Sequence, residues 1–332
     1  VVITIDGPGG VGKSTVAAAV AEALDLPHLD TGATYRVAAL ATLRSGGDPG
    51  DEAAVLDAIE DVVLAFEDGR VLLNGEDVTA AIRSPEATAA SSAVAVHPAV
   101  RERIVNLQRS WVWEHGDTGV VEGRDIGTVV FPDAEVKVYL TASPEVRAQR
   151  RASDDEAAGK DVDAIAAELR ARDHTDSTRA TSPLRPAADA MIIDTGSLAA
   201  DVVTGLVLRQ VADARALELS SLLAEHNPDV IDLTMTLRGV VRSALPMATE
   251  KIYPGWHGLG YDDPEAGYIG GIFPGEESVR IGFENGTELP DPSGLLTGDG
   301  SQVRYVVVEE WDESLRTPIT DLLEAAVEHG SR

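Results

Sequence analysis

The chain has 332 residues, 44% of them hydrophobic, with a formal net charge of −29 and no cysteine. That length allows two domains, each able to bury its own core. Missing thiols exclude disulfides, thiolate metal sites and cysteine nucleophiles. The acidity argues against a duplex nucleic-acid surface, which needs a basic face, and no apolar run is long enough to span a bilayer. A reducing, cytoplasmic setting is expected.

Residues 1–5 are a β-branched run that reads as a strand rather than as a charged leader before an apolar stretch. A glycine turn follows, then an Ala-rich helix over 13–24. Residues 60–96 change texture: short strands at 62–66, 70–73 and 76–78 are joined by Asp68-Gly69 and Asn74-Gly75, both hairpin signals, and read as a small insert. Helices are expected at 98–114 and 162–172, with buried strands at 119–122, 136–140 and 190–194. Strands alternating with helices predict an α/β domain with a parallel sheet covered on both faces. A helix at 198–214 closes this domain near residue 212, and 213–227 form a helix-prone linker. Beyond Pro228, apolar residues recur at helical spacing up to Ala244. Strands follow at 267–273, 278–283 and 302–308, then a helix at 315–329, giving a small α+β module over 228–332.

Gly7-Pro8-Gly9-Gly10-Val11-Gly12-Lys13-Ser14 fits G-x-x-x-x-G-K-[ST] between a strand and a helix. Glycines let successive N–H groups turn toward one anion, and the helix N-terminus adds partial positive charge. In this phosphate loop, residues Gly7 to Thr15 would hold ATP, Lys13 would reach its β- and γ-phosphates, and the Ser14 hydroxyl would ligate Mg²⁺. A base-reading Asn-Lys-x-Asp, expected of a GTPase, is missing, which leaves a small-molecule kinase.

Four blocks bear on the acceptor: 3–8 running into the phosphate loop, Asp30-Thr31-Gly32-Ala33-Thr34-Tyr35-Arg36, Glu122-Gly123-Arg124-Asp125-Ile126-Gly127-Thr128, and Arg172-Asp173-His174-Thr175-Asp176-Ser177-Thr178-Arg179. Over residues 1–210 they resemble bacterial cytidylate (CMP/dCMP) kinases. The resemblance implies a P-loop nucleoside monophosphate kinase fold with an enlarged insert at about 60–96 and a lid at about 150–162. It further implies that Thr31, Arg36, Arg124, Arg172 and Arg179 surround the acceptor nucleotide, that Ser92, Arg101 and Asp125 read cytosine, and that Asp176 binds the sugar. Arg150 and Arg151 would open the lid and, with Lys13, Arg124 and Arg172, act on the transferring phosphate. The chemistry agrees. Two polyanions must be brought together, the attacking phosphate oxygen needs no base, and the planar guanidinium grips phosphate in two places. A carboxylate beside a cationic donor suits the amino group and acceptors of cytosine, so UMP is expected to be a poor substrate. Thr31 stands where that family commonly has Ser, and Glu122 where Asp is frequent. Other readings are a P-loop kinase for a different acceptor, or a nucleotide-binding regulator. His28, His97 and His174 share no metal-ligand spacing and are expected to pack or face solvent.

Residues 228–332 resemble the YdhG-like domains, an uncharacterised bacterial family. The features that carry this are the 246–252 segment, the aromatic turn Tyr253-Pro254-Gly255-Trp256, and the strand–turn–helix ending. Tyr253, Trp256, His257 and Tyr261 could line a ligand pocket; an interaction module, an independent passenger and plain core packing are the other readings.

Overall fold

The computed structural model describes residues 1–67, 69–153, 161–179 and 181–330. The chain divides into two compact units between Ala214 and Arg215.

The first unit contains β1 (Val2–Asp6), α1 (Lys13–Leu24), β2 (His28–Asp30), α2 (Thr31–Arg44), α3 (Glu52–Ala58), β3 (Leu64–Glu67), β4 (Arg70–Leu73), β5 (Glu76–Asp77), α4 (Pro85–Val94) and α5 (Pro98–Glu114). After them come β6 (Gly119–Gly123), β7 (Val136–Thr141), α6 (Pro144–Ala152), α7 (Val162–Thr178), β8 (Met191–Asp194) and the first part of α8 (Ala200–Leu223), whose residues from Arg215 onward belong to the second unit. The main sheet is parallel throughout, in the order β2-β6-β1-β7-β8. Every residue of β1 is buried, as a central strand covered on both faces requires. Ile3 and Ile5 pack with Val16 and Val20 of α1 and Val203 and Val207 of α8. Val2 joins Val105, Trp111 and Val112 of α5 on the other side. The strands β3, β4 and β5 form a separate antiparallel sheet, and Asn74 and Gly75 turn between the last two with φ of 52° and 82°, the pair of positive values a tight hairpin needs.

Helix starts follow local chemistry. Ser84-Pro85 and Ser143-Pro144 each place a capping hydroxyl before a proline whose ring presets the first helical φ. Helix α7 runs six residues past the expected end at Arg172. The stretch His174–Thr178 is poor in helix formers, but the Thr175 and Thr178 hydroxyls donate back to the Ala171 and His174 carbonyls, leaving the turns intact. This extension puts Arg172, Asp173 and Asp176 on one rigid element. The expected lid falls partly outside the described residues, at 154–160.

The second unit contains α9 (Pro228–Ala244), β9 (Thr249–Tyr253), β10 (Gly258–Asp263), β11 (Gly267–Pro274), β12 (Val279–Phe283), β13 (Leu296–Thr297), β14 (Arg304–Val308) and α10 (Arg316–Gly330). Its six strands pair antiparallel in the order β13-β14-β12-β11-β10-β9. Leu233, Leu237 and Val241 of α9 and Ile319 and Leu322 of α10 pack on Leu259, Ile272, Ile281 and Val306 of the sheet. Strands β9 and β10 had no counterpart in the sequence reading. Glu250 and Lys251 in β9 and the Gly-x-Gly of β10 have weak strand propensity, and tertiary packing supplies the rest: a Cβ at Gly260 would sit 2.5 Å from the Tyr253 ring, so the glycine lets that ring lie flat on the sheet. The aromatics do not share one pocket. Tyr261 is buried beside Leu259 and donates to Glu250, itself clasped by Arg238, whereas Tyr253 stacks on Trp256 at 4.8 Å from the opposite face.

Candidate active site

The phosphate loop leaves β1 at Gly7, whose φ of +149° places it where a Cβ would lie 2.2 Å from the Leu140 carbonyl oxygen of β7. No side chain fits against that backbone. Gly7→Ala is therefore expected to destabilise the first unit by on the order of 4 kcal/mol, read as a fall in its thermal or urea midpoint; an unshifted midpoint would mean that β1 and β7 can part at no cost. Gly10 and Gly12 also have positive φ, and the loop curls over Lys13, whose Nζ donates to the Pro8 carbonyl at 2.9 Å. Removal from solvent, reinforced by the Arg124 guanidinium, pushes the Lys13 amine down to about 7, against the partial pull of Glu122, Asp30 and Asp6. Thr15 is exposed on the first turn of α1.

Two acids frame the cradle. Asp6, at the end of β1, is 4% exposed and accepts from the backbone N–H groups of Ile126 (2.9 Å) and Gly127 (2.7 Å). Burial raises its carboxyl to about 6, and the two N–H groups only partly offset that. Its clasp holds the π-helical turn Ile126–Val130 that follows Asp125, a rare geometry associated with functional sites. Glu122, near the end of β6, is 2% exposed; its Oε2 accepts from the Ser14 hydroxyl at 2.9 Å and its Oε1 lies 3.3 Å from His28 Nε2. A hydroxyl and a buried carboxylate side by side are hard oxygen donors of the kind Mg²⁺ takes, so the residues fit that ion.

Beside the cradle, the cations converge. Arg172 is pushed down to about 10, first by burial, then by the nearby charges of Arg124, Arg36 and Arg151, with Asp176 pulling the other way. Arg124 donates to the Gly7 carbonyl at 3.0 Å and pairs with Asp176 at 3.3 Å, so it bridges the phosphate loop and α7. Deeper in, Arg101 and Asp125 form a buried pair at 2.5 Å; Arg101 also donates to the Ala95 carbonyl and lies over the Tyr35 ring. Arg179 is half-buried and close enough to Arg101, Asp125 and Tyr35 to feel their charges. Arg101 Nε is buried without a hydrogen-bond partner, and Arg179 Nη2 and Asp176 Oδ2 are buried with ion-pair contacts but no hydrogen bond. Thr31 is buried, with its hydroxyl on the Glu122 carbonyl at 2.6 Å, and Ser92 is half-buried on α4 close in sequence to Ala95.

Of the sequence-predicted residues, then, Lys13, Arg36, Arg124, Arg151, Arg172 and Asp176 form one electrostatic group, and Arg101, Asp125 and Arg179 a second beside it. Arg150 directs its donors to Thr195 and to the Val11 carbonyl, as a brace on the phosphate loop. Among the histidines, His97 packs on the Pro49 carbonyl and His174 is exposed, while His28 sits on Glu122. Sequence reasoning passed over Asp6, Glu122 and Arg147 as site residues. Arg147, 3% exposed, donates to the Gly9 carbonyl at 3.1 Å and pairs with Asp173 at 2.6 Å. Its signal lies in the spacing Arg147-x-x-Arg150-Arg151, which puts three guanidiniums on one face of α6. For Glu122 the signal is an acid closing the apolar strand Val120-Val121.

The cytidylate kinase family model matches residues 3–213, about two thirds of the chain. Cytidylate kinase from Mycobacterium leprae is 52% identical over 210 residues, 62% of this chain and 94% of its own length. The Corynebacterium efficiens and Rhodococcus jostii cytidylate kinases are 52% and 50% identical over 222 and 218 residues, each match covering 95% of the relative. A family model that matches well over half of the chain, together with relatives about 50% identical across nearly their whole length, leaves one assignment: the chain belongs to the cytidylate kinase family.

Proposed function

We propose that the first unit transfers the γ-phosphoryl group of ATP to CMP or dCMP, giving ADP and CDP or dCDP. The observation that carries this reading is the crowding of Arg36, Arg124, Arg151 and Arg172 beside Lys13. Asp176 offsets part of the repulsion among these cations, and an anionic guest would offset more of it. The loop N–H groups and Lys13 take the donor phosphates; Arg36, Arg124 and Arg172 take the acceptor phosphate. An oxygen of that acceptor phosphate attacks the γ-phosphorus in line, the bond to the β,γ-bridging oxygen breaks, and ADP leaves with the electron pair. Charge spreads over the equatorial oxygens as this happens, where the fixed guanidiniums meet it. Ser14 and Glu122 would hold Mg²⁺, which when bound shields the phosphate oxygens from the incoming anion. Arg101 and Asp125 read the base, Asp176 the sugar hydroxyls, and Thr31 and Ser92 line the same seat. Arg147 and Arg150 brace the loop.

ADP release measured across CMP, dCMP, UMP, AMP and GMP tests the reading. Turnover with CMP or dCMP should exceed that with UMP by at least about 100-fold, because a uracil carbonyl would face the Asp125 carboxylate. Equal rates for CMP and UMP would refute the base assignment, and no turnover with any acceptor would refute the reaction.

Donor binding should also depend on pH. Phosphates favour the ammonium form of Lys13, whereas the free site holds the amine down to about 7. Above that pH, binding ATP requires proton uptake, so affinity should fall by up to about tenfold per pH unit from 7 upward. Titration calorimetry in buffers of different ionisation enthalpy reads the proton directly. Lys13→Met should remove the slope, and a persisting slope would assign the proton elsewhere.

A further inference from the structure

The second unit brings together two imidazoles that stand 31 residues apart in the chain. His226 lies between α8 and α9, and His257 ends the short 3₁₀ turn before β10. Their Nε2 atoms are 3.1 Å apart and their ring centroids 5.1 Å apart. The His226 Nδ1 lies 2.8 Å from the Gly275 carbonyl oxygen, which can only accept; the ring therefore carries its proton at Nδ1 and turns the lone pair of Nε2 toward His257. His257 adopts φ 53° and ψ 50°, a left-handed conformation uncommon for a residue with a Cβ.

From this geometry we infer a binding site for a late first-row divalent cation such as Zn²⁺, Ni²⁺ or Cu²⁺, with His226 Nε2 and His257 Nε2 as the protein ligands. Two nitrogens bound at about 2.0–2.1 Å to one tetrahedral ion stand roughly 3.3–3.4 Å apart, so the rings need only a few tenths of an ångström of adjustment. An imidazole that donates its other N–H to a backbone carbonyl is the usual supporting arrangement at metal-binding histidines, and His226 has it before any metal arrives. Imidazole nitrogen selects these ions over Mg²⁺ and Ca²⁺. In the metal-free pair His257 Nε2–H donates to His226 Nε2. Binding moves that proton to His257 Nδ1 and frees the second lone pair. Both rings are half-buried, which leaves an approach for the ion and for water. No group of three or more His, Asp or Glu side chains suited to a metal occurs among the described residues, so water completes the coordination and the affinity belongs in the micromolar range.

The test uses the full chain with histidine ring nitrogens labelled, followed by long-range ¹H–¹⁵N NMR during addition of ZnCl₂. Expected is a joint change of the His226 and His257 Nε2 resonances, saturating at one equivalent with a dissociation constant of about 1–50 μM and unchanged by millimolar Mg²⁺. His226→Asn, whose amide can still donate to the Gly275 carbonyl, and His257→Gly, which relieves the left-handed backbone, should each weaken binding at least tenfold at the remaining ring. Because rings are read individually, a second zinc ion near His28 would not be mistaken for this one. Two rings left unmoved at 1 mM Zn²⁺, or a remaining ring that responds equally in both variants, would leave only a hydrogen bond between imidazoles and overturn the inference.

Discussion

Arg172→Ala should lower kcat for CMP by about 1,000-fold, with a much smaller rise in KM, while leaving the protein at least as stable as before. Both halves follow from the same feature. Arg172 is the most compressed cation of the acceptor side, held near Arg124, Arg36 and Arg151, and is pushed down to about 10 by burial and by those neighbours. In the empty enzyme its charge is a liability. When equatorial oxygens gain charge during transfer, the same group stabilises them without having to move. A loss of this size corresponds to about 4 kcal/mol of transition-state stabilisation. Removing the guanidinium relieves the repulsion, so the melting temperature of the first unit should rise by about 2–4 °C. Arg172→Lys should recover little of the rate, because an ammonium cannot grip two oxygens in the plane of a fork. A kcat within tenfold of the parent, or a drop in melting temperature, would show that Arg172 is a structural residue.

Asp125→Ala should have the second large effect, and it has two parts. The carboxylate pairs with Arg101 at 2.5 Å where the side chains are 7% and 5% exposed. Deleting one partner strands a buried cation and should cost about 3–5 kcal/mol, on the order of 10 °C in melting temperature. The kcat/KM for CMP should fall at least about 100-fold while that for UMP barely changes, collapsing the preference between them. Stability and specificity separate in the double variant Arg101→Met/Asp125→Ala. Replacing both charges with apolar groups is often close to neutral for folding, so a stable enzyme that no longer distinguishes the two bases is expected. A retained preference in the double variant would move base reading to other side chains.

What could be read from the bare chain was whatever depends on neighbours in sequence. The phosphate loop is a contiguous motif, α1 and α5 carry their apolar faces within their own length, and α5 also carries a start signal in Pro98. The roles of single side chains were legible only where a block surrounded them. Glu122 and Asp6 lie within contiguous motifs, yet their work depends on partners about 110–120 residues away: the hydroxyl of Ser14 and the N–H groups of Ile126 and Gly127. Arg147 was hidden for the same reason, since its carboxylate partner is on α7. Strand β10 was missed because glycine lowers strand propensity, and only the ring of Tyr253 gives the glycine a purpose. His226 and His257 show no recognisable spacing at all; the turn at Gly275 and the hairpin around β9 and β10 bring them together.

The Asp6 carboxylate fastens the turn after Asp125, proposed to read the base, to the root of the phosphate loop. Strands β1 and β6 are hydrogen-bonded neighbours, so the two proposed nucleotide seats are bolted to adjacent planks of one floor. The distance between donor and acceptor is thereby set when the protein folds, before either nucleotide arrives. A molecule that ties adenosine to cytidine through a phosphate chain should consequently be selected by chain length, one spacing binding far more tightly than its shorter and longer homologues.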